Sequence, residues 1–432
     1  MTAIKPKDRD LILQALAAGV VPRAGLRHIQ VGRVAEVTAL VRDIDRIASG
    51  GSAVRFIIGE YGAGKSFFLN LVRLVALEKK CVTIHADLAP DRRIHATSGQ
   101  ARGLYSEAVR NMATRTRPEG GALQSIVERF VTDCVQQAAA DSKPVENVID
   151  QRLAVLQDEV GGYDYAAVLK AYWRGHENGD DALKAAALRW LRGEYSTKTE
   201  ARLALGVRNI IEDGTVYDSI KLLSAFVRLA GYTGLLVVFD EMVNLYKLQS
   251  SQVRNQNFEE ILRIVNDTLQ GNVSGLGFLF GGTPELLMDT RRGLYSYPAL
   301  QSRLAENGFA KGGLVDHSGP VLRLQSLTPE ELLVLLGNLR FVFAYGDESR
   351  NSLPDEALDA FMHHCSHRIG EAYFRTPRNT IKAFVQLLAV LEQNPGVSWQ
   401  ELLDHIEVTA DHGDDPGEET PDGDDELATF RI

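Results

Sequence analysis

Cysteine is scarce in this 432-residue chain: Cys81, Cys134 and Cys365 lie far apart. Their positions give no metal-ligand spacing, and a reduced, intracellular protein is expected. Long apolar runs are also missing. No stretch of about 18 apolar residues exists to span a bilayer, and Met1–Asp10 carries charges of both signs with no apolar stretch after it. Neither a signal peptide nor membrane attachment is therefore expected, and the cytoplasm is the expected compartment. None of the ten histidines forms a His-Glu-x-x-His pattern, and His363, His364 and His367 read as ordinary helical surface. No internal repeat is present.

An excess of one charge is missing from most of the chain as well. The formal net charge is −10, but residues 411–432 hold Asp411, Asp414, Asp415, Glu418, Glu419, Asp422, Asp424, Asp425 and Glu426 against Arg431 alone. The rest is nearly balanced, which neither supports nor excludes contact with nucleic acid. The Asp-, Glu-, Gly- and Pro-rich tail is expected to be disordered. Its last residues, 427–432, are apolar enough for a docking peptide; an inert solubilising tail is the other reading.

What the chain does contain is a glycine-flanked lysine behind a short apolar run. Residues 54–58 read Val-Arg-Phe-Ile-Ile, followed by Gly59-Glu60-Tyr61-Gly62-Ala63-Gly64-Lys65-Ser66 and then the apolar Phe67, Phe68 and Leu69. This is G-x-x-x-x-G-K-[ST] between a predicted strand and a predicted helix. Gly62 and Gly64 let successive backbone N–H groups face one point. That concavity and the helix N-terminus favour a phosphate chain. Lys65 reaches the β- and γ-phosphates of ATP, and the Ser66 hydroxyl holds Mg²⁺.

Further strands are predicted at 81–87, 235–239 and 277–280, with helices over 7–48 (broken by a turn at 20–25), 65–78, 214–230 and 256–270. Residues 100–230 read as a helical insertion. Thr328-Pro329-Glu330-Glu331 and Thr376-Pro377-Arg378 open C-terminal helices, and a short helix is predicted near 398–408. Nearly uninterrupted apolar strands alternating with helices point to an α/β fold with a doubly wound parallel sheet of the P-loop NTPase kind. The expected organisation is N-terminal helices over 1–53, a nucleotide core from 54–99 and 231–326, the insertion, a helical lid over 327–410 and the tail.

Ligands in such sheets sit at the carboxyl ends of strands, which brings Asp240 and Glu241 to the edge that carries the glycine loop. Asp240 can then hold Mg²⁺ through water, and Glu241 can orient and deprotonate an attacking water. Taken alone, two acids in a strand-to-helix turn are commonplace. Thr283 ends the next strand, where its hydroxyl either holds the water or the γ-phosphate or caps the helix starting at Pro284. Arg303 is either an arginine that projects toward a neighbouring subunit's γ-phosphate or a solvated helix residue. Arg378 is a second candidate, with Arg375 as its competitor. Arg33 lies at the usual distance before the nucleotide domain for an adenine-side contact.

Together these blocks resemble an AAA+ type ATPase. Residues 18–23 (Ala-Gly-Val-Val-Pro-Arg), 56–69 and 86–93 (Ala-Asp-Leu-Ala-Pro-Asp-Arg-Arg) narrow the likeness to the BrxD-type ATP-binding proteins of BREX bacteriophage-defence systems, across most of residues 8–392. The resemblance implies an AAA+ core with a helical lid, a homo-oligomer, and work beside a DNA helicase or other defence component. It also implies Arg303 as the trans-acting finger and Arg378 as the lid arginine. DNA contact, direct or through a partner, is compatible with it, although too little chain follows the lid for a winged-helix DNA-binding domain. A nucleotide-gated scaffold with little turnover is the alternative function, and a small-molecule kinase is a third.

Overall fold

A computed structural model describes residues 4–22, 25–310, 315–351, 353–369 and 377–405. Arg375, the acidic tail and the last six residues fall outside them. The described chain divides into two compact units. One comprises Val21–Glu60 and Gly64–Gln325; the other gathers residues 4–20, 61–63 and 326–405.

The first unit is built on a five-stranded sheet: β1 (Ser52–Ile58), β2 (Val82–Asp87), β3 (Leu235–Asp240), β4 (Leu276–Gly282) and β5 (Val321–Arg323). Every pairing is parallel, in the order β2-β3-β4-β1-β5. Strand side chains alternate between faces, and here both faces are covered. Val54, Phe56, Ile58, Val237, Phe239, Phe278 and Phe280 join a core completed by Tyr105, Phe130, Phe226 and Phe258. Ala53, Ile57, Leu236, Val238 and Leu279 pack the other way, against Leu40, Ile44 and Ile47 of helix Val34–Ala48 and Phe68, Leu69 and Val72 of helix Lys65–Glu78. Burial on both faces explains why the strands read as continuous apolar runs rather than alternating ones.

Helices Gln100–Arg110, Leu123–Asp141 and Val216–Leu229 lay their apolar stripes into the first of these cores. The inserted helices therefore share the sheet's own core, and Ala113 adds an antiparallel bridge to Thr83 on the outer side of β2. One charge interrupts the apolar β1. Arg55 is buried and donates through Nε to Asp43 Oδ2 at 2.6 Å, and through Nη1 to the His317 carbonyl at 2.8 Å. A buried charge persists only when paired in this way.

Several boundaries differ from the sequence reading. β1 begins at Ser52, and β4 runs from Leu276 to Gly282. Helix Ser251–Gln270 starts five residues earlier than expected, because Ser250 caps it by accepting from Val253 N–H at 3.3 Å. β5 has no counterpart in the sequence reading: three residues are too few to show a period.

In the other unit, helix Pro6–Ala17 packs with Pro329–Phe343 and Pro377–Gln393. Buried Arg9 fastens it. Its Nε donates to the Phe343 carbonyl at 2.9 Å, its Nη2 pairs with Glu392 at 2.9 Å, and its guanidinium stacks over Phe343 and Tyr345. Thr328 and Glu331 form a reciprocal capping box at the start of helix Pro329–Phe343.

Candidate active site

The parallel sheet puts all strand carboxyl ends on one edge, and the site is assembled there. Gly62 and Gly64 adopt left-handed φ of 77° and 80°, conformations open to glycine at little cost. Gly64 is the N-cap of helix Lys65–Glu78. The bend therefore leads straight into the positive end of a helix. Lys65 Nζ donates to the carbonyls of Gly59 at 2.8 Å and Glu60 at 2.9 Å, holding the loop's first turn. Desolvation pulls the Lys65 amine below the usual lysine range, and the charges of Asp240 and Glu241 oppose that shift.

Ser66 is the second helical residue, and its hydroxyl donates to Asp240 Oδ2 at 2.7 Å. This contact needs explaining, because β4 lies between β1 and β3. Neighbouring strands stand about 4.8 Å apart, so a carboxylate on β3 must reach across β4 to meet a side chain that follows β1. Gly281 makes the passage. A Cβ at that position would overlap Asp240 Oδ1 and lie 2.9 Å from both Asp240 Cγ and Leu69 Cδ1. The missing side chain on β4 is the space that the Asp240 carboxylate occupies.

Asp240 is 9% exposed, and its Oδ1 accepts from the Glu241 backbone N–H at 2.8 Å. Glu241 itself sits at φ 55°, left-handed for a residue with a side chain, a strain of about 1–2 kcal/mol. Such strain is commonly kept where a side chain must be aimed. Desolvation pushes the Glu241 carboxyl up, and the charges of Asp240 and Asp87 add to it. On the neighbouring strand end, Gly59 N–H donates to the Gly282 carbonyl at 3.2 Å, which seats Thr283 beside the start of the glycine loop. Thr283 occupies the N-cap position of helix Pro284–Met288 but makes no capping bond, and its hydroxyl oxygen is buried without a partner. An unsatisfied buried hydroxyl costs about 1–3 kcal/mol, which a bound ligand would recover.

Arg33, at φ 60°, donates to the Gln325 carbonyl at 3.1 Å. Its guanidinium lies 5.8 Å from the Phe68 ring centroid and 3.8 Å from where a Cβ on Gly64 would stand, next to the helix start. Phe67 is half-buried in the first turn of that helix, and Glu60 is exposed. Arg303 lies in helix Pro298–Leu304, where its guanidinium donates to Asn266 Oδ1 and, at 2.9 Å, to the Ala299 carbonyl. In the other unit, Arg378 donates to the Tyr61 hydroxyl at 3.2 Å.

The structure also gathers residues that sequence reading did not select. Ser66, Asp240 and Glu241 open into a polar cavity of about 220 Å³ whose walls include Asn70, Arg73, His85 and Asp87. Asp87 lies opposite Asp240 in the parallel register, and desolvation followed by the Asp240 charge raises its carboxyl. Arg73 donates to a His85 ring nitrogen at 2.9 Å. The signal was present as two periodicities: Ser66, Asn70 and Arg73 recur at helical spacing, and His85 and Asp87 alternate along one strand face.

A glycine bend at a helix N-terminus, a lysine at its mouth and a hydrogen-bonded serine–aspartate pair together fit a polyphosphate with a hard divalent cation, which prefers oxygen donors of this kind. With the five-stranded parallel sheet, these features are consistent with a P-loop nucleotide-binding protein. The chain belongs to the family described as BREX system ATP-binding protein BrxC/D, which matches residues 4–407. It is thus an ATP-binding protein of the BREX phage-defence type. It matches no curated protein. Among the described residues, no helix is long and apolar enough to cross a membrane.

Proposed function

We propose that the protein binds Mg²⁺·ATP at Gly59–Ser66 and hydrolyses it, serving as an AAA+ motor or switch within BREX defence. The observation that carries this reading is the 2.7 Å contact from Ser66 to Asp240 across the Gly281 gap. It places the serine and the strand-end acid at one point, as a nucleotide-bound cation requires.

In this reading, the amides of Gly62, Ala63, Gly64, Lys65, Ser66 and Phe67 receive the phosphates. Lys65 exchanges the Gly59 and Glu60 carbonyls for phosphate oxygens. Ser66 and Asp240 hold Mg²⁺, which when bound neutralises phosphate charge. Glu241 takes a proton from the attacking water; a raised pKa makes it a better acceptor near neutral pH. The orphaned Thr283 hydroxyl orients that water or the γ-phosphate. Arg33 serves the adenine side and Arg378 the phosphate side. Arg303 acts on a neighbouring subunit's nucleotide once assembly releases it from Asn266. A cytoplasmic homo-oligomer working with a helicase or other defence protein, and with DNA directly or through that partner, fits this chemistry.

The alternative is a nucleotide-gated scaffold that binds ATP with little turnover. Its support is that Arg303 is held by Asn266 and Ala299. The two readings separate on phosphate release with partner and DNA present. Turnover that falls at least about 100-fold in Lys65→Ala and Glu241→Gln supports the enzyme. ATP binding with no turnover under any partner condition supports the scaffold.

A further inference from the structure

Consecutive residues of a strand point to opposite faces, yet Asp240 and Glu241 line one cavity. The backbone hydrogen bonds account for this. In a parallel ladder, one residue turns its N–H and C=O to one neighbouring strand and the next residue turns to the other. Val82 N–H donates to the Gly234 carbonyl at 2.9 Å, and Leu235 N–H to the Gly275 carbonyl at 2.8 Å. Counted by twos from there, even-numbered residues of β3 serve β2 and odd-numbered ones serve β4. The alternation still holds at Leu88, whose N–H donates to the Asp240 carbonyl at 3.0 Å. Carried one step further, it would send Glu241 N–H to the Gly281 carbonyl and Met242 N–H to the Leu88 carbonyl. Instead Glu241 N–H donates to Asp240 Oδ1 at 2.8 Å, and Met242 N–H takes the Gly281 carbonyl at 3.0 Å. The left-handed turn at Glu241, φ 55°, makes this slip of one residue and breaks the alternation of side chains.

The slip takes the ladder donor away from the Leu88 carbonyl, and a backbone acceptor in a buried setting needs a partner. Asn244 supplies one: its Nδ2 donates to that carbonyl at 2.7 Å. Its backbone N–H donates to the Glu241 carbonyl at 3.0 Å. One residue therefore holds the bend from both sides. Resting on the reading of Glu241 as the acceptor of the water's proton, we propose that Asn244 is a positioning residue, which keeps Glu241 in its left-handed bend and so aims its carboxylate into the cavity beside Asp240.

The crystal structure of Asn244→Ala tests this without any need for turnover. Glu241 should relax to the extended region, with Met242 N–H returned to the Leu88 carbonyl. Asn244→Asp keeps the shape of the side chain but loses the donor, so it should relax likewise and serves if Asn244→Ala does not fold. In both variants ATP turnover should fall about 10- to 100-fold, while Mg²⁺·ATP affinity changes by less than about two-fold. In a Glu241→Gln background, Asn244→Ala should cause no further loss of turnover. A Glu241 that stays left-handed in the variants, wild-type turnover, or affinity that falls together with turnover would overturn the proposal. Failure of the hydrolysis reading looks different: wild type itself would release no phosphate, and the backbone of the variants would then decide the role of Asn244 alone.

Discussion

Gly281→Ala makes the sharpest demand on the geometry. The new methyl would overlap Asp240 Oδ1 and press Cγ and Leu69 Cδ1 at 2.9 Å. Backbone cannot yield, since β4 is paired on both sides. The Asp240 carboxylate must swing away, and its contact with Ser66 goes with it. Overpacking of this kind costs about 1–3 kcal/mol of stability. A charge-assisted hydrogen bond adds about 1.5–3 kcal/mol to the local loss. If that contact marks the cation position, the Mg²⁺-dependent part of nucleotide affinity should fall about ten-fold or more, 1.4 kcal/mol per decade, while binding in EDTA is spared. Gly277→Ala is the matched control. It sits on the same strand and would overlap Ile47 Cδ1, the far end of an apolar side chain, with no site residue among its contacts. The assay is titration of a fluorescent ATP analogue with and without Mg²⁺, beside urea unfolding. Equal Mg²⁺ dependence in Gly281→Ala, Gly277→Ala and wild type would refute the reasoning.

Other outcomes follow from single residues. Glu241→Gln should retain ATP and raise the stability of the nucleotide-free protein near neutral pH. The raised Glu241 pKa means that ionising it opposes folding, so the difference in melting temperature should open as pH rises through the carboxyl range and close near about pH 4. A constant difference from acid to neutral pH would contradict this. Asp43→Ala should strand the buried Arg55 and lower stability by about 3–5 kcal/mol in chemical denaturation; a loss under about 1 kcal/mol would show Arg55 finding other partners. Burial pushes the Cys365 thiol up to about 12, so alkylation of the native protein at mildly alkaline pH should spare Cys365 until denaturant is added. Mapping the modified peptide checks this.

The local parts of the site were legible in sequence because their chemistry is local. Gly59–Ser66 carries its own turn, helix start and lysine within eight residues, and Leu235–Phe239 announces a buried strand by composition alone. What depends on register was not legible. Asp87 matters because β2 and β3 pair parallel with Asp87 opposite Asp240, which no spacing along the chain encodes. Gly281 reads as one glycine of a pair until the strand order places β4 under the reaching carboxylate. Thr283 reads in sequence as either a cap or a site residue; it stands at the N-cap position without a capping bond, a detail that no spacing along the chain encodes. Arg9 looked like an ordinary charge near the N-terminus, because its partners Phe343 and Glu392 lie more than 300 residues away.

The central claim is that the bend at Gly62–Gly64 and the lysine after it grip a triphosphate. Calorimetric titration of Mg²⁺·ATP into wild type and Lys65→Ala, both shown folded by circular dichroism, tests it most directly. Wild type should bind saturably, and the variant should lose about ten-fold or more in affinity. Equal affinity in both proteins would contradict it.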